Sequence, residues 1–237
     1  MKELETAKEL LHLLSKSVGQ VEEGVILLSG LDSTILAYLI PNSKLYTFGL
    51  SGSRDIKTAK TRRVGERKVN SILLSDEDLI RGLKELNRYD LSLVEVSFIL
   101  PFAIIGEKIG EEKLISGHGA DELFGGYSKY FDEIKAKSRE SVEVMMGKDL
   151  ELLKEKHLPI VRELLNKNGK KLFTPYLSDE IVDLASKIPI ALRLTEKKYI
   201  LKRAAALLMP DASMEKKALQ YSSGVMKWLK KEGETPT

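Results

Sequence analysis

The sequence predicts an α/β fold, a mostly parallel and doubly wound sheet followed by a helical C-terminal half. Two observations carry that prediction. Short apolar runs at residues 25–28, 45–50, 71–74 and 113–115 have strand length, and a helical pattern separates each from the next. Beyond residue 127 strand signals fade, and helical patterns fill 128–168, 178–188, 196–208 and 214–231, broken at Pro159, Pro175, Pro189 and Pro210. A chain of 237 residues can bury one sizeable core, or one α/β core with a helical appendage.

Residues 1–20 place Leu4, Ala7, Leu10, Leu11, Leu14 and Val18 at helical spacing with acids between them. That pattern is an amphipathic helix and not a signal peptide. Residues 21–232 then read as a single domain, with the α/β core at about 21–127 and the helical part at about 128–232, before a short tail at 233–237. The first strand, Val25-Ile26-Leu27-Leu28, runs into the small-residue turn Ser29-Gly30-Leu31-Asp32-Ser33-Thr34, and a helical stretch ends at Pro41. Strand, turn and helix leave free N–H groups and the positive end of a helix dipole at the turn. Ser29, Ser33 and Thr34 add hydroxyls there, and Asp32 adds a carboxylate able to hold Mg2+ on a polyphosphate. An ordinary N-cap built on Asp32 or Ser33 accounts for the same residues. No Gly-Lys-Ser/Thr follows, so this is not a Lys-bearing P-loop.

The second strand, 45–50, leads into a short helix in which only Ile56, Ala59 and Val64 could face the sheet. Ser75 followed by Asp76, Glu77 and Asp78 marks a helix start after the third strand. The fourth strand, 113–115, opens into Ser116-Gly117-His118-Gly119-Ala120-Asp121-Glu122-Leu123-Phe124-Gly125-Gly126-Tyr127. Four glycines within that stretch are costly in conformational entropy and imply backbone held close to something. Both loops follow the carboxyl ends of strands, where open α/β sheets bind ligands.

Bulk composition excludes several classes. A net charge of +3 is too mild to argue for nucleic acid, and the basic clusters at 60–63 and 227–231 read as solvated helix faces. No apolar run approaches the ~20 residues of a membrane span. The chain has no cysteine, so it holds no disulfide, no thiolate metal site and no cysteine nucleophile for a glutaminase or persulfide step. A cytoplasmic enzyme is the plain expectation.

Together the two loops resemble the synthetase domain of the asparagine synthetases, within the N-type ATP pyrophosphatase (HUP-like) group. That family carries Ser-Gly-Gly-x-Asp-Ser after its first strand and Ser-Gly-Glu-Gly-x-Asp-Glu-x-Phe-Gly-Gly-Tyr after a later one. The likeness extends to Thr47-Phe48-Gly49-Leu50, to the Asp90–Pro101 connection, to Phe173-Thr174-Pro175-Tyr176-Leu177 and to the lysine-bearing 216–224, covering roughly residues 20–229.

The resemblance implies that ATP activates a small, aspartate-like carboxylate as an acyl-adenylate, and that ammonia or an amine then displaces AMP. It implies that Asp32 and Asp121 hold Mg2+, that Ser29, Gly30 and Ser33 receive pyrophosphate, and that main-chain groups at Leu27, Phe48, Ser116 and Gly117 hold adenosine. It places His118, Lys216 and Lys217 in catalytic positions. With room for only one helix before the first strand, a stand-alone synthetase domain is expected, fed by free ammonia or by a separate glutaminase subunit, with neither nucleic acid nor membrane as partner.

Several residues depart from the family pattern. Aligned on Asp32, the family's Ser-Gly-Gly becomes Leu28-Ser29-Gly30; aligned on Ser29, one glycine is missing. His118 replaces a glutamate, and an imidazole with its ordinary pKa near about 6.5 would be partly charged. Acids are missing from residues 158–162, Ser178 replaces an aspartate, and the late lysine is shifted by about one position. Two alternatives stay open for this reason: an ATP-binding regulatory or interaction module without turnover, and an RNA-modifying N-type pyrophosphatase.

Overall fold

The computed structural model describes residues 3–19, 21, 23–209 and 222–233. Its centre is a six-stranded sheet in the order β3-β4-β2-β1-β5-β6. The strands are β1 Val25–Leu27, β2 Lys44–Leu50, β3 Arg63–Val64, β4 Arg67–Leu74, β5 Lys113–Ile115 and β6 Lys171–Phe173. Every pairing is parallel except the β3–β4 hairpin at one edge. A mostly parallel α/β sheet is therefore what forms.

The continuous run Val25-Ile26-Leu27-Leu28 shows why the sheet is covered on both faces. Strand side chains alternate. Ile26 and Leu28 enter one buried cluster and Val25 and Leu27 the other, and all four are buried. The first cluster is closed by α1 (Glu3–Val18), α2 (Leu31–Leu39), α6 (Ala120–Phe124), α10 (Asp179–Lys187) and α12 (Tyr199–Leu208). The second is closed by α4 (Asp76–Leu86), α5 (Leu93–Lys108), α9 (Leu158–Asn166) and α13 (Val225–Gly233). Helix α1 lays Ala7, Leu10 and Leu14, all fully buried, into the first of these cores.

Four local expectations need correction. Val64 does not sit on the short helix after β2; α3 (Arg54–Ala59) stops earlier, and Val64 pairs with Arg67 in the edge hairpin. The third strand starts at Arg67, four residues before the apolar run, because pairing with the buried β2 carries its polar half into the sheet. Strands do not end at residue 127 either: Lys171-Leu172-Phe173 adds β6 in parallel beside β5. Its three residues are too few to show a period.

Pro159 does not break the 128–168 helix. The break falls at Ser138, which caps α8 (Arg139–Leu152) and separates it from α7 (Ser128–Ala136). At Pro159 the chain instead takes a π-turn, Leu153–His157, closed by the Leu158 N–H on the Leu153 carbonyl. The wider turn accommodates a residue that lacks an N–H and crowds the preceding turn. Ser75 does cap α4, accepting from the Asp78 N–H at 3.1 Å while Asp78 Oδ2 accepts from the Ser75 N–H at 3.0 Å.

Candidate functional site

At the carboxyl end of β1 the chain turns through Ser29 and Gly30 into α2. Leu28 still belongs to the sheet, donating to the Tyr46 carbonyl at 2.7 Å, and its side chain lies wholly in the core. Leu28, where the family has serine, therefore points inward, and the β-carbon that replaces a family glycine is that of Ser29, in the turn itself, with its Oγ 3.5 Å from Ser33 Oγ. A β-carbon built on Gly30 would meet nothing within 4 Å, so the mouth of the turn is open. Ser33 Oγ accepts from the Ser29 N–H at 2.9 Å and the Gly30 N–H at 3.2 Å, and donates to the Gly30 carbonyl at 3.1 Å. A phosphate seated on those two amides would have to displace this hydroxyl.

The loop after β5 comes directly against this turn. A β-carbon on Gly117 would stand 3.0 Å from Asp32 Cβ and 3.5 Å from the Ser33 nitrogen. Only glycine permits that approach without displacing backbone. A β-carbon on Gly126 would lie 1.5 Å from Asp121 Oδ1, so the paired glycine leaves space for the carboxylate that the loop presents. Tyr176, fully buried, donates to the Asp32 carbonyl at 3.1 Å and ties the turn after β6 to the same place.

One lysine joins the two loops. Lys198 Nζ lies 2.8 Å from Asp121 Oδ1 and also pairs with Asp32 Oδ2. Its side chain is largely enclosed, and it starts α12 from the left-handed region at φ 57°. Burial lowers its pKa, but Asp32 and then Asp121 outweigh burial and hold the ammonium above its ordinary value. Sequence reasoning missed Lys198. It stands in the run Glu196-Lys197-Lys198, which has the look of a solvated helix start, and nothing in its spacing marks it as buried.

Two neighbours have shifted protonation. His118 shares a 2.7 Å hydrogen bond between Nδ1 and Ser116 Oγ and packs its ring against Phe102, with centroids 5.4 Å apart. Burial, reinforced by the charges of His157 and Arg162, lowers its pKa to about 4. A neutral imidazole at pH 7 replaces the partly charged one expected. Part of the residue reaches solvent, yet dense packing around the ring governs the direction. Glu122 is the reverse case: burial, then the charge of Asp121, raises it to about 7 although the Tyr127 hydroxyl donates to it at 2.7 Å.

The remaining expected positions are spread along the strand ends. The last β1–β2 pair is Leu27 with Tyr46, so Phe48, two residues on, stands past the end of β1 with its ring buried in the same core cluster as Leu27. Ser116 follows the last residue of β5 and donates its N–H to the Phe173 carbonyl at 2.9 Å. Leu27, Ser29, Gly30, Asp32, Ser33, Phe48, Ser116, Gly117, His118 and Asp121 thus all lie at one edge of the sheet. Lys216 and Lys217 lie outside the described residues.

The asparagine synthase family model matches residues 9–173 and 163–235. The chain belongs to the asparagine synthase family. It is similar to a protein of Methanocaldococcus jannaschii provisionally named asparagine synthetase (glutamine-hydrolysing) 1, at 27% identity over 96% of this chain and 51% of the relative. It is also similar to asparagine synthetase (glutamine-hydrolysing) 1 of Lotus japonicus, at 27% identity over 90% of this chain and 41% of that one. Asparagine synthetase B (glutamine-hydrolysing) of Escherichia coli matches at 25% identity over 90% of this chain and 42% of its own. The chain spans about half the length, or less, of these curated relatives. No helix among the described residues is long and apolar enough to cross a membrane.

Within this asparagine synthase fold the acid pair suits Mg2+. Magnesium is ordinarily held by one or two carboxylates, with substrate phosphates and water completing the octahedron. Asp32 and Asp121 already bracket one cation, the Lys198 ammonium, and no group of three or more metal-ligating side chains stands among the described residues. Phosphate oxygens and water would supply the other ligands.

Proposed function

We propose that this chain uses ATP to activate a small, aspartate-like carboxylate and passes the acyl group to nitrogen. The supporting observation is the junction of the two loops, where Gly117 rests against Asp32 and Lys198 joins Asp32 to Asp121. In the first step a carboxylate oxygen attacks the α-phosphorus and pyrophosphate leaves, giving an acyl-adenylate. In the second, ammonia or an amine attacks the acyl carbon, AMP leaves, and the nitrogen loses a proton. Ammonia, free or delivered by a glutaminase, would be the donor, because these residues include no cysteine thiol to take it from glutamine.

The residues divide this work. The turn at Ser29–Ser33 would receive the leaving pyrophosphate, with Ser33 Oγ giving up the Ser29 and Gly30 amides to phosphate oxygens. Asp32 and Asp121 would hold Mg2+, which neutralises charge on the phosphates. With the acids engaged in this way, the Lys198 ammonium that now pairs with both would be free to turn toward the same phosphates. Main chain at Leu27, Phe48, Ser116 and Gly117 would position adenosine past the end of β1. His118, neutral and hydrogen-bonded to Ser116, can accept a proton from an incoming amine. Lys216 and Lys217 remain candidates for support of the adenylate.

A second reading, nucleotide binding without turnover, is favoured by two observations. His118, with a pKa of about 4, is a weak base at neutral pH. The two loop amides are already satisfied by Ser33. Pyrophosphate release, measured with ATP, Mg2+, ammonium and a panel of carboxylates, separates the readings. Turnover with aspartate or a near analogue, abolished in Asp121→Ala, is expected. ATP affinity without any pyrophosphate release across the panel would establish the second reading.

A further inference from the structure

The chain between β2 and β4 brings a cation to the phosphate turn that the pairing of acids there does not use. Arg62, just before the edge strand β3, reaches back across the sheet's carboxyl edge. Its Nη1 lies 3.5 Å from the Leu28 carbonyl and its Nη2 3.5 Å from Thr34 Oγ1. Leu28 is the last residue before the turn and Thr34 stands in the first turn of α2, so the guanidinium spans the turn from one side to the other.

Three features set Arg62 apart from a surface arginine. It is partly enclosed, and burial lowers its pKa despite the charge of Asp55 nearby. No carboxylate lies within 4.0 Å of its guanidinium among the described residues, and Asp55 accepts instead from Ser222 at 2.7 Å. Its two contacts go to neutral oxygens at the outer limit of hydrogen bonding. A guanidinium carries five donors in a planar fork, matched to two oxygens of a phosphate. A desolvated fork with only long, neutral contacts at the rim of an anion-binding turn is poised for an anion.

We propose that Arg62 is a phosphate-binding residue: on nucleotide binding its guanidinium leaves the Leu28 carbonyl and Thr34 hydroxyl to grip non-bridging oxygens of the pyrophosphate portion of ATP. The short segment from α3 through the β3–β4 hairpin then acts as the arm that carries this cation over the turn. This rests on the ATP-binding reading above, and it adds a contact from a part of the chain outside both loop motifs.

Titration calorimetry with ATP, pyrophosphate and adenosine tests it on wild type, Arg62→Gln and Arg62→Lys. Loss of a charge-assisted contact predicts that Arg62→Gln binds ATP and pyrophosphate about 10- to 100-fold more weakly, with adenosine affinity unchanged. Arg62→Lys should recover part of the pyrophosphate affinity, which distinguishes a lost charge from a damaged fold. Arg62→Gln binding pyrophosphate as tightly as wild type overturns the assignment, as does an equal loss of adenosine and pyrophosphate affinity in both variants. A wild-type chain that binds pyrophosphate but not ATP would overturn the ATP reading while leaving the Arg62 comparison intact. Wild type binding neither overturns both.

Discussion

Replacing Lys198 with Met removes the cation between Asp32 and Asp121 while keeping similar volume, and the left-handed backbone strain at position 198 is common to both residues. The two carboxylates then face each other across at most two hydrogen-bond lengths, roughly 5.5 Å. At an effective dielectric of about 20, two unit charges at that separation repel by about 3 kcal/mol. Removing one partner of a buried pair ordinarily costs about 3–5 kcal/mol, so the two routes agree. For a chain of this size that is a fall in Tm of about 6–12 °C. The assay is thermal unfolding at pH 7, with and without millimolar Mg2+. In the variant the acids have no competing ammonium, so Mg2+ should return several degrees of Tm there and much less in wild type. Adding Asp121→Asn to Lys198→Met should also restore stability by removing the repulsion. A Lys198→Met protein with an unchanged Tm, or one indifferent to both Mg2+ and the second substitution, would refute the electrostatic account of the loop junction.

Gly117→Ala forces a β-carbon to 3.0 Å from Asp32 Cβ and should cost about 1–3 kcal/mol in urea unfolding while weakening ATP binding tenfold or more. An alanine variant with wild-type ATP affinity would mean that the close approach of the two loops is incidental. His118 makes stability depend on pH with a definite sign. Its folded pKa, about 4, lies below the ordinary value of 6.5, so the unfolded chain binds more protons between them. The neutral ring's contribution is complete above pH 6.5 and lost as pH falls toward 4, by roughly 3 kcal/mol at most. Urea midpoints from pH 4 to 7 should fall more steeply with acidification in wild type than in His118→Gln, and parallel curves would contradict the burial of the imidazole.

The alternation of strands and helices, the double coverage of the sheet and the two glycine-bearing loops were legible in the chain as written. Each rests on local chemistry: an apolar run such as Val25–Leu28 fits a strand buried on both faces, and a small-residue turn followed by a helix exposes N–H groups wherever it occurs. The cap at Ser75 was legible for the same reason, since a capping box is satisfied within four residues. What was missed is non-local. β6 has three residues and exists because β5 offers an edge, and the π-turn before Pro159 relieves a local clash in a helix that packing holds together.

The sequence by itself determined the two loops and the acids Asp32 and Asp121, because those signals lie within a few residues of one another. Only the tertiary structure decided what stands between the acids. Lys198, 166 positions from Asp32, and Arg62, at the other side of the turn, read as ordinary surface cations until folding enclosed them. Burial also reversed the reading of His118, since an imidazole's charge depends on the water around it, and the chain order carries no record of that.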